Sequence, residues 1–458
     1  MIYKLNIFSC LPMYDKKYDQ GKKLRERIKR KDQSVFRLSS KRQSVLQMIK
    51  ASDYDRVEEL IPIRHYRMSA SPFAFYRATA GIMAQDLSFL PHSNFKVQAI
   101  GDCHLMNFGG YATPERTLVF DINDFDETYP APWEWDVKRL ATSFILAARF
   151  LNLSEKTAQE TAYILSNSYR ENFIEFSQMN LLDLWYMKFD VERILKEAKN
   201  NKARKLLTDA IEKAQKGTNE RIFYKITQSV LGGFEIAEQR PLVYHPFDMK
   251  DAKTTIENFV GKYAQTLAPD RRYLFEQFNI IDVALKVVGV GSVGTRCYVT
   301  LFINQHLDPL FLQVKEARIS VLAPYVSNVK RQFTHQGQRV VQGQRLVQAA
   351  SDIFLGWSTG PAGRHFYFRQ LRDRKIAPEI DKFDEELLKS YARLCGRMLA
   401  RAHVKTSDAP VLAGYMGKSD ILEDSVSKFA LSYADQTEAD YNAFIKEIKK
   451  GKLKVEAE

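Results

Sequence analysis

Hydrophobic residues recur at helical spacing through most of the first 240 positions. Residues 71–90 open with Ser-Pro, a pair typical of a helix start, and residues 132–151 carry one continuous apolar stripe. The same period predicts helices at 154–176, 181–198 and 202–216. Two runs of strand-forming residues, 96–100 and 117–123, interrupt the pattern. We therefore expect a mainly helical first half with a small β insert at 96–127.

The pattern changes beyond residue 240. Residues 281–317 read as three β runs, with glycines at the first turn and His-Leu-Asp-Pro at the second. The pattern then predicts a helix at 337–356, a strand at 365–371, a helix at 384–403 and a helical tail from Asp424. We divide the chain into a basic leader, a helical large lobe, a β-rich nucleotide lobe and helices that complete the large lobe, at 1–60, 61–245, 246–372 and 373–458.

Composition narrows the class of protein. The 458 residues are 45% hydrophobic and 27% charged, which is ordinary for a globular protein and excludes the disordered, collagen-like and membrane-protein classes. The apolar start is too short for a signal peptide or a membrane span, so we expect a cytoplasmic protein without a membrane span. Four scattered cysteines argue against a disulfide framework and a zinc module: Cys10, Cys103, Cys297 and Cys395.

Most of the positive charge lies near the N-terminus. The net charge is +13, and residues 1–50 alone contain fourteen Lys and Arg against four acidic residues. Such a segment could touch nucleic acid or another acidic surface. Because stacking aromatic residues are not interleaved with these charges, a solvated helix face or arm is the favoured interpretation, and nucleic acid is not an expected partner.

The first candidate site is an acidic constellation at 101–109 and 120–127, which holds five acidic residues. Packed carboxylates repel each other unless a cation lies among them, so we expect a divalent ion here. Asp102 and Asn107 have the spacing of a kinase catalytic loop, in which the Asp receives the acceptor proton and the Asn binds a metal. Asp121 and Asp124 are candidates for the second ligand and its support, and His104 for orienting Asp102 or binding metal. A network of side-chain caps at turns is the alternative.

The second candidate site is a glycine loop between two β runs. A strand follows this loop, whereas a dinucleotide-binding loop requires a helix. A loop between two strands matches the kinase arrangement, in which backbone amides cover the phosphates. Lys315, in Phe-Leu-Gln-Val-Lys, resembles the kinase lysine that pairs with phosphates; an exposed lysine on an edge strand is the alternative. The candidate loop residues are Gly289, Gly291, Ser292, Gly294 and Thr295.

That lysine needs a carboxylate partner if it is to act as in a kinase. Glu316 follows it directly on a strand and should point to the opposite face. Asp352 is then the one acidic residue that the following helix could offer, with Gln342 or Gln348 as neutral substitutes. The missing helix glutamate weakens the expectation of ordinary kinase turnover.

Three further sets of residues are weaker candidates. Arg369, Arg372 and Arg374 could meet phosphate or an anionic acceptor, or line a solvated edge. Cys103 lies beside Asp102, which disfavours a thiolate, so we expect no cysteine nucleophile. The segment before the first helix of the large lobe offers interface candidates: Arg64, His65 and Arg67.

The glycine loop and its lysine follow the catalytic loop by about 190 residues, whereas they precede it in an ordinary kinase. Each lobe nevertheless keeps its internal order. The sequence therefore predicts an α+β chain with a circularly permuted, protein-kinase-like two-lobe fold, in which a helical large lobe joins a small antiparallel-sheet lobe.

Several segments together resemble the bacterial family called domain of unknown function 2252. The resemblance covers nearly the whole chain beyond the leader and implies a protein-kinase-like fold with an unsettled substrate. It is carried by SPFAFYR (71–77), GDCHLMNFGG (101–110), FDINDFDET (120–128), PWEWDVKRLA (132–141), GVGSVGTRCY (289–298), PLFLQVKEA (309–317), GQRLVQAASDIFLGW (343–357) and YADQ (433–436).

The sequence thus predicts an ATP- and Mg²⁺-dependent phosphotransferase. Its acceptor is an unknown hydroxyl of a small molecule or protein, and its oligomeric state is left open. In this hypothesis Asp102 orients or deprotonates the acceptor, Asn107 and Asp121 bind Mg²⁺, and the glycine loop and Lys315 bind phosphates. The alternatives are a nucleotide-binding pseudokinase or scaffold, and a nucleotidyl (AMP) transferase.

Overall fold

A computed structural model describes residues 11–197, 201–217, 219–230, 233–327, 329, 333–371 and 374–458. The chain has a mixed α+β architecture with antiparallel sheets. The helices are α1 (Leu11–Arg27), α2 (Val45–Asp53), α3 (Ile61–Ser69), α4 (Pro72–Arg77), α5 (Ala80–Ser88), α6 (Trp133–Phe150), α7 (Glu155–Phe176), α8 (Leu181–Tyr186), α9 (Val191–Glu197), α10 (Asn201–Gln215), α11 (Asn219–Ile226), α12 (Met249–Ala264), α13 (Pro269–Phe275), α14 (Gln336–Val347), α15 (Glu385–Val404), α16 (Ala409–Met416) and α17 (Ile421–Lys449).

Within the described ranges, the strands form one large and three small sheets. They are β1 (Lys96–Ala99), β2 (Phe108–Ala112), β3 (Leu118–Ile122), β4 (Tyr129–Pro132), β5 (Thr227–Val230), β6 (Gly233–Ile236), β7 (Val243–Tyr244), β8 (Phe278–Lys286), β9 (Cys297–Asn304), β10 (Pro309–Glu316), β11 (Gly356–Thr359), β12 (His365–Gln370) and β13 (Lys375–Ile376). The large sheet has the order β11-β12-β10-β9-β8-β7, and the small sheets have the orders β1-β4, β13-β2-β3 and β5-β6.

The six-stranded sheet presents two faces of different character, because successive side chains of a strand point to opposite sides. On β10, Leu312 and Val314 belong to an aromatic-rich core with Tyr263 of α12. The alternating set, which includes Gln313 and Lys315, lies on the other face. The three β runs predicted at 281–317 are confirmed as β8, β9 and β10.

The helical part is built around α6, α7, α15 and α17, which share the largest buried apolar cluster. Ser154 caps α7 by accepting a hydrogen bond from the Thr157 amide at 3.1 Å. Asp384 caps α15 in the same way through the Leu387 amide at 2.9 Å. Both caps satisfy amides that a helix start leaves without partners. Among the helices of the described ranges, none combines the length and hydropathy that crossing a membrane requires.

Several predicted elements are shorter than expected because side chains bond to the backbone. The helix predicted at 71–90 is divided at Thr79, whose hydroxyl donates to the Phe75 carbonyl at 3.0 Å. The helix predicted at 181–198 is divided into α8 and α9, since Asp190 caps the start of α9. The helix predicted at 337–356 ends at Val347. The strands that were not predicted are β2, β4, β5, β6, β7, β11 and β13.

The first ten residues of the predicted leader lie outside the described residues, and the remainder packs onto the helical part. Gly21 of α1 lies against Gly414 of α16, where any larger residue would overlap a neighbouring carbonyl. Arg25 Nε donates to the Tyr415 carbonyl at 2.9 Å and Arg30 to the Met416 carbonyl at 2.8 Å. These cations therefore cap the C-terminus of α16 rather than facing solvent as a free arm.

Replacing Gly21 with Ala is expected to loosen this helix pair. The added methyl group would overlap the Val411 carbonyl oxygen, so the unfolding free energy should fall by about 1–3 kcal/mol. Gly261, inside α12, has open space around it, and Gly261→Ala should instead stabilise by about 0.5–1 kcal/mol. Denaturant unfolding of both variants checks the prediction. Equal effects would show that the α1–α16 contact is loose.

Candidate functional site

Two pairings of short strands bring the acidic segments together. β1 pairs with β4 and β2 pairs with β3, both antiparallel, with Ala99 opposite Tyr129 and Phe108 opposite Ile122. The segments that connect these strands, 100–107 and 123–128, must therefore run side by side. The Asn123 amide donates to the Asn107 carbonyl at 2.8 Å across this junction. We call these two segments the acidic loops.

Asp136, in the first turn of α6, fixes the start of the first acidic loop. Its two oxygens accept hydrogen bonds from the amides of Ile100 at 2.6 Å and Gly101 at 3.0 Å, and His403 Nε2 lies at 3.2 Å. Gly101 has φ of +83°, and a β-carbon there would overlap the Glu127 carbonyl. Only glycine adopts this conformation at little cost, so the turn before Asp102 depends on it.

Asp102 lies between a buried cation and a buried imidazole. Arg139 donates to its Oδ1 from Nε at 2.9 Å and from a terminal nitrogen at 2.6 Å. His104 Nε2 lies 3.7 Å from Oδ2, which is too long for a hydrogen bond. Burial lowers the pKa of His104 to about 4, so its ring is neutral near pH 7. Asp102 therefore keeps one oxygen free of the arginine.

One hydrogen bond orients the side-chain amide of Asn107. Its Nδ2 donates to the Asp102 carbonyl at 2.7 Å, which leaves Oδ1 as the oxygen available to a ligand. Oδ1 makes no hydrogen bond to a described residue. An amide oxygen next to a carboxylate is a donor pair that suits Mg²⁺, and this ion usually completes its shell with water and substrate phosphates. In the described parts of the chain, no three His, Cys, Asp or Glu side chains form a metal cage.

Lys315 joins the six-stranded sheet to the second acidic loop. Its ammonium forms an ion pair with Asp126 and lies 3.7 Å from Asp124 Oδ2, while its side chain is only 3% exposed. Tyr367, on the neighbouring strand β12, donates its hydroxyl to Asp126 at 2.6 Å. Burial opposes ionisation of Asp124, yet Lys315 and Arg369 lower its pKa to about 2. Burial likewise opposes the charge of Lys315, but the two carboxylates raise its pKa above the ordinary value.

Arg369 supplies a second cation from the same face of the sheet. Its Nε donates to Gln313 at 2.8 Å and a terminal nitrogen donates to the Asn123 carbonyl at 3.2 Å. The predicted role of this arginine in meeting an anion stays a prediction, but the structure places it beside Asp124. Arg372 lies outside the described residues, and Arg374 directly precedes β13.

The predicted glycine loop connects β8 and β9 and lies along the start of the helical part. Gly289 and Gly294 have φ of +65° and +83°, and the Gly294 carbonyl accepts from the Val57 amide at 2.8 Å. Thr295 closes the turn by donating its hydroxyl to the Ser292 carbonyl at 2.7 Å. Within the described chain, the amides of Gly291, Ser292 and Gly294 donate to no acceptor.

Arg77 links this loop to the first acidic loop. A β-carbon on Gly291 would lie 3.2 Å from the Arg77 carbonyl, so the glycine allows a close approach. Burial lowers the pKa of the Arg77 guanidinium, and the negative charge of Asp102 opposes that shift. Its Nε is buried and has no hydrogen-bond partner among the described residues. Arg77 is thus half-buried, with its backbone against the glycine loop and its charge within the electrostatic influence of Asp102.

Asp121 does not join the acidic loops. It lies within β3, is 1% exposed, and receives a hydrogen bond from Arg401 of α15 at 2.7 Å. Its other oxygen accepts from the Ala349 amide at 2.9 Å. Since both oxygens are already engaged, the geometry does not favour Asp121 as a metal ligand. Asp124, three residues further on and 35% exposed, is the carboxylate beside Lys315.

Asp352 is not the partner of Lys315. It lies beyond the end of α14, where its oxygens accept from the amides of Phe354 at 2.8 Å and Gln370 at 2.5 Å. The expectation of a helix-borne carboxylate for the lysine is corrected here, because the acidic loop supplies Asp126. Glu316 points away from Lys315 as expected, and it pairs with Arg296 at 3.2 Å and Arg364 at 2.9 Å.

Helix α14 contributes a buried arginine instead. Arg339 donates to the carbonyls of Asp126 at 2.8 Å, Thr128 at 2.6 Å and Arg318 at 2.9 Å. A guanidinium that binds three carbonyls holds the backbone of the second acidic loop in place. The helix thus positions the residue that pairs with Lys315, although it carries no carboxylate for that lysine.

Of the predicted interface residues, Arg64 and His65 are buried and Arg67 is half-buried. Arg64 and His65 both bind Asp53, at 2.7 Å and 2.8 Å, and His65 Nδ1 lies 2.8 Å from the Lys454 carbonyl. Arg67 binds the Gly289 carbonyl. These residues therefore hold the glycine loop and the C-terminal segment.

Burial raises the pKa of the Cys103 thiol, in keeping with the expectation that it is no nucleophile.

Four site residues were missed in the sequence: Arg77, Asp126, Arg139 and Tyr367. Asp126 lies in the FDINDFDET segment and Arg77 closes SPFAFYR, so both were within segments already singled out. Their partners are distant in sequence, and only strand register and helix packing bring them together.

Neutralising Asp121 and neutralising Asp124 should lower the free energy of unfolding by different amounts. Asp121→Asn leaves the buried Arg401 without a carboxylate, so the unfolding free energy should fall by about 3–5 kcal/mol. Asp124→Asn should cost less, because Lys315 keeps Asp126 and the side chain is partly exposed. Urea unfolding of both variants tests this. A larger loss for Asp124→Asn would contradict the division of roles.

Comparison with known proteins supports one conclusion on identity. No curated protein and no solved structure matches the chain. Residues 56–447 match the family described as "Uncharacterized protein conserved in bacteria (DUF2252)". This match spans most of the 458 residues and includes both acidic loops, the glycine loop and Lys315. The chain belongs to that bacterial family.

Proposed function

We propose that this protein is an ATP- and Mg²⁺-dependent phosphotransferase with a circularly permuted, kinase-like arrangement of its site. The observation that carries the proposal is the contact of Lys315 with Asp126 and Asp124. The sequence separates these groups by about 190 residues, yet they lie together in a buried, charged site. A lysine on a sheet opposite an Asp- and Asn-bearing loop is the constellation that kinases use to hold a nucleotide.

The metal-binding role predicted for Asp121 fits Asp124 better. Protein kinases hold Mg²⁺ with the catalytic-loop Asn and the Asp of Asp-Phe-Gly. Here Asn107 directly precedes β2, and Asp124-Phe125-Asp126 follows β3 with the same first two residues. Asp124 is ionised at neutral pH, and Asn107 has an available Oδ1, so both are hard oxygen donors. Bound Mg²⁺ would neutralise charge on the phosphates.

The remaining residues suit the binding and orientation of a triphosphate. Lys315, Arg369 and Arg77 place three cations around the acidic loops, and the glycine loop offers free amides. Backbone amides and fixed cations stabilise phosphate oxygens without reorganisation. Asp102 would accept the acceptor's hydroxyl proton at Oδ2, the oxygen that Arg139 does not bind.

A second candidate, a nucleotide-binding pseudokinase or scaffold, is favoured by the Arg139–Asp102 pair. Two hydrogen bonds from this guanidinium to Oδ1 hold the Asp102 carboxylate to α6, which suits a structural role for this residue. AMP transfer is the third possibility, because nucleotidyl transfer uses the same phosphate-binding groups in another pose. These candidates share the nucleotide and differ in what happens to it.

Lys315→Gln and Glu316→Gln form a matched pair that tests nucleotide binding. Both remove one charge from a buried ion pair on β10, so both should cost stability. Only Lys315 faces the acidic loops. Mg²⁺-ATP should raise the melting temperature of the wild type and of Glu316→Gln, since a ligand at 100 times its Kd stabilises by about 2.7 kcal/mol. Lys315→Gln should lose that shift. An unchanged shift in Lys315→Gln would overturn the nucleotide site.

Transfer itself is tested with two labelled nucleotides. Incubation of the wild type with a panel of small-molecule and protein hydroxyl acceptors should transfer label from γ-labelled ATP and none from α-labelled ATP. Asp102→Asn should abolish that transfer while the thermal shift with Mg²⁺-ATP persists, because Asp102 acts on the acceptor. Label from α-labelled ATP would instead indicate AMP transfer. Binding without transfer of either label favours the scaffold.

A further inference from the structure

A cavity formed by described residues lies away from the acidic loops. It has a volume of about 1230 Å³ and is enclosed by α7, α9, α10 and α15, with the β2–β3–β13 sheet on one side. Its described lining contains neither Lys315 nor any of the acidic-site carboxylates Asp102, Asp124 and Asp126. A cavity of this volume can accommodate a ligand of drug size. It is therefore separate from the site proposed for ATP.

The interior of this cavity is mainly apolar and aromatic. Phe120 of β3, Phe189 and Leu394 of α15 contribute to its wall. Such walls bind the apolar body of a ligand, while a few polar groups fix its orientation.

Arg397 is a charged group in this wall without a counter-charge. It is half-buried, and its Nε is sealed from solvent without a hydrogen-bond partner. Its guanidinium packs over the rings of Phe189 and Phe176, with its central carbon 5.0 Å and 5.9 Å from the ring centroids. It forms no ion pair with any described residue. Its terminal nitrogens are not sealed and donate to no described residue, so these N–H groups are available to an acceptor on a ligand in the cavity.

The acidic residues that also line the cavity do not supply this counter-charge. Glu197 pairs with Arg193 at 2.9 Å, and Glu379 pairs with Lys382. Asp190 caps the start of α9 through two backbone amides. The other acidic side chains of the lining are exposed: Glu171, Asp209 and Glu386. The acidic side chains of the lining are thus paired, engaged in capping or exposed at the rim, and Arg397 keeps its positive charge without a counter-charge.

We infer that this cavity binds an amphipathic organic anion, with its apolar body along the aromatic wall and its carboxylate or phosphate head on Arg397. A planar guanidinium with free N–H groups suits both heads, since each offers two oxygens in the matching geometry. Arg393, one turn earlier on α15, is exposed and also in the lining, so it adds positive charge at the rim. This inference does not depend on the proposed ATP site.

Calorimetric titration of the full-length protein with three ligands of equal chain length tests the inference. Decanoate and decyl phosphate should bind at least roughly tenfold more tightly than decanol, because the charged head gains a charge-assisted hydrogen bond. Decanoate and decyl phosphate then separate the carboxylate source from the phosphate source. Equal affinity for decanol, or no binding of any of the three, would overturn the inference.

Two arginine variants locate the site. Arg397→Gln should weaken the binding of the preferred anion by roughly tenfold or more. Arg193→Gln is the matched control, since Arg193 lines the same cavity, is 79% exposed and already pairs with Glu197; its affinity should stay within about twofold. Equal loss in both variants would contradict the role of Arg397. If Arg397→Gln does not fold, the wild-type comparison of decanoate with decanol still decides.

Discussion

A lysine ammonium that is almost completely buried must have anionic partners, because the transfer of a charge out of water costs several kcal/mol even after the protein relaxes. Lys315 meets this requirement with Asp126 and Asp124, which precede it in the sequence by about 190 residues. The rest of the site depends on this contact. It holds the face of the six-stranded sheet against the acidic loops, and it leaves Asp124 charged and Asp126 occupied. The opposite face of β10 shows the same constraint, where two arginines surround Glu316.

The periodicity of apolar residues correctly predicted the helices and strands in which that spacing is regular. The strands at 281–317 and the helices at 132–151 and 384–403 have regular apolar spacing, and they lie where the pattern placed them. The pattern was wrong where side chains bond to the backbone, as at Thr79 and Asp190. It also missed β2, because Gly-Gly in a short strand carries no apolar alternation.

The residues of the candidate site likewise divide into those that a local sequence pattern identifies and those that only contacts between distant segments identify. The glycine loop and Lys315 were identified from spacing alone, since both are local patterns. The choice between Asp121 and Asp124 depends on a contact with a residue that is distant in the sequence. The spacing made Asp121 the second metal ligand and Asp124 its support, and only the burial of Asp121 against Arg401 argues against that choice. Likewise, Asp352 was the one acidic residue that the helix after Lys315 could offer, but the partner of Lys315 came from a loop 189 positions away.

Arg339 attaches helix α14 to the second acidic loop through carbonyl oxygens alone. Every amino acid has a carbonyl oxygen, so this attachment is indifferent to which side chains the loop carries. The hydrogen bonds from Arg339 therefore do not depend on which side chains residues 126 and 128 carry, whereas the packing of Thr128 against Gly343 of α14 does depend on a small side chain. Scaffold and chemistry are separable at this position, and members of one family could keep the same architecture while they diverge in reaction.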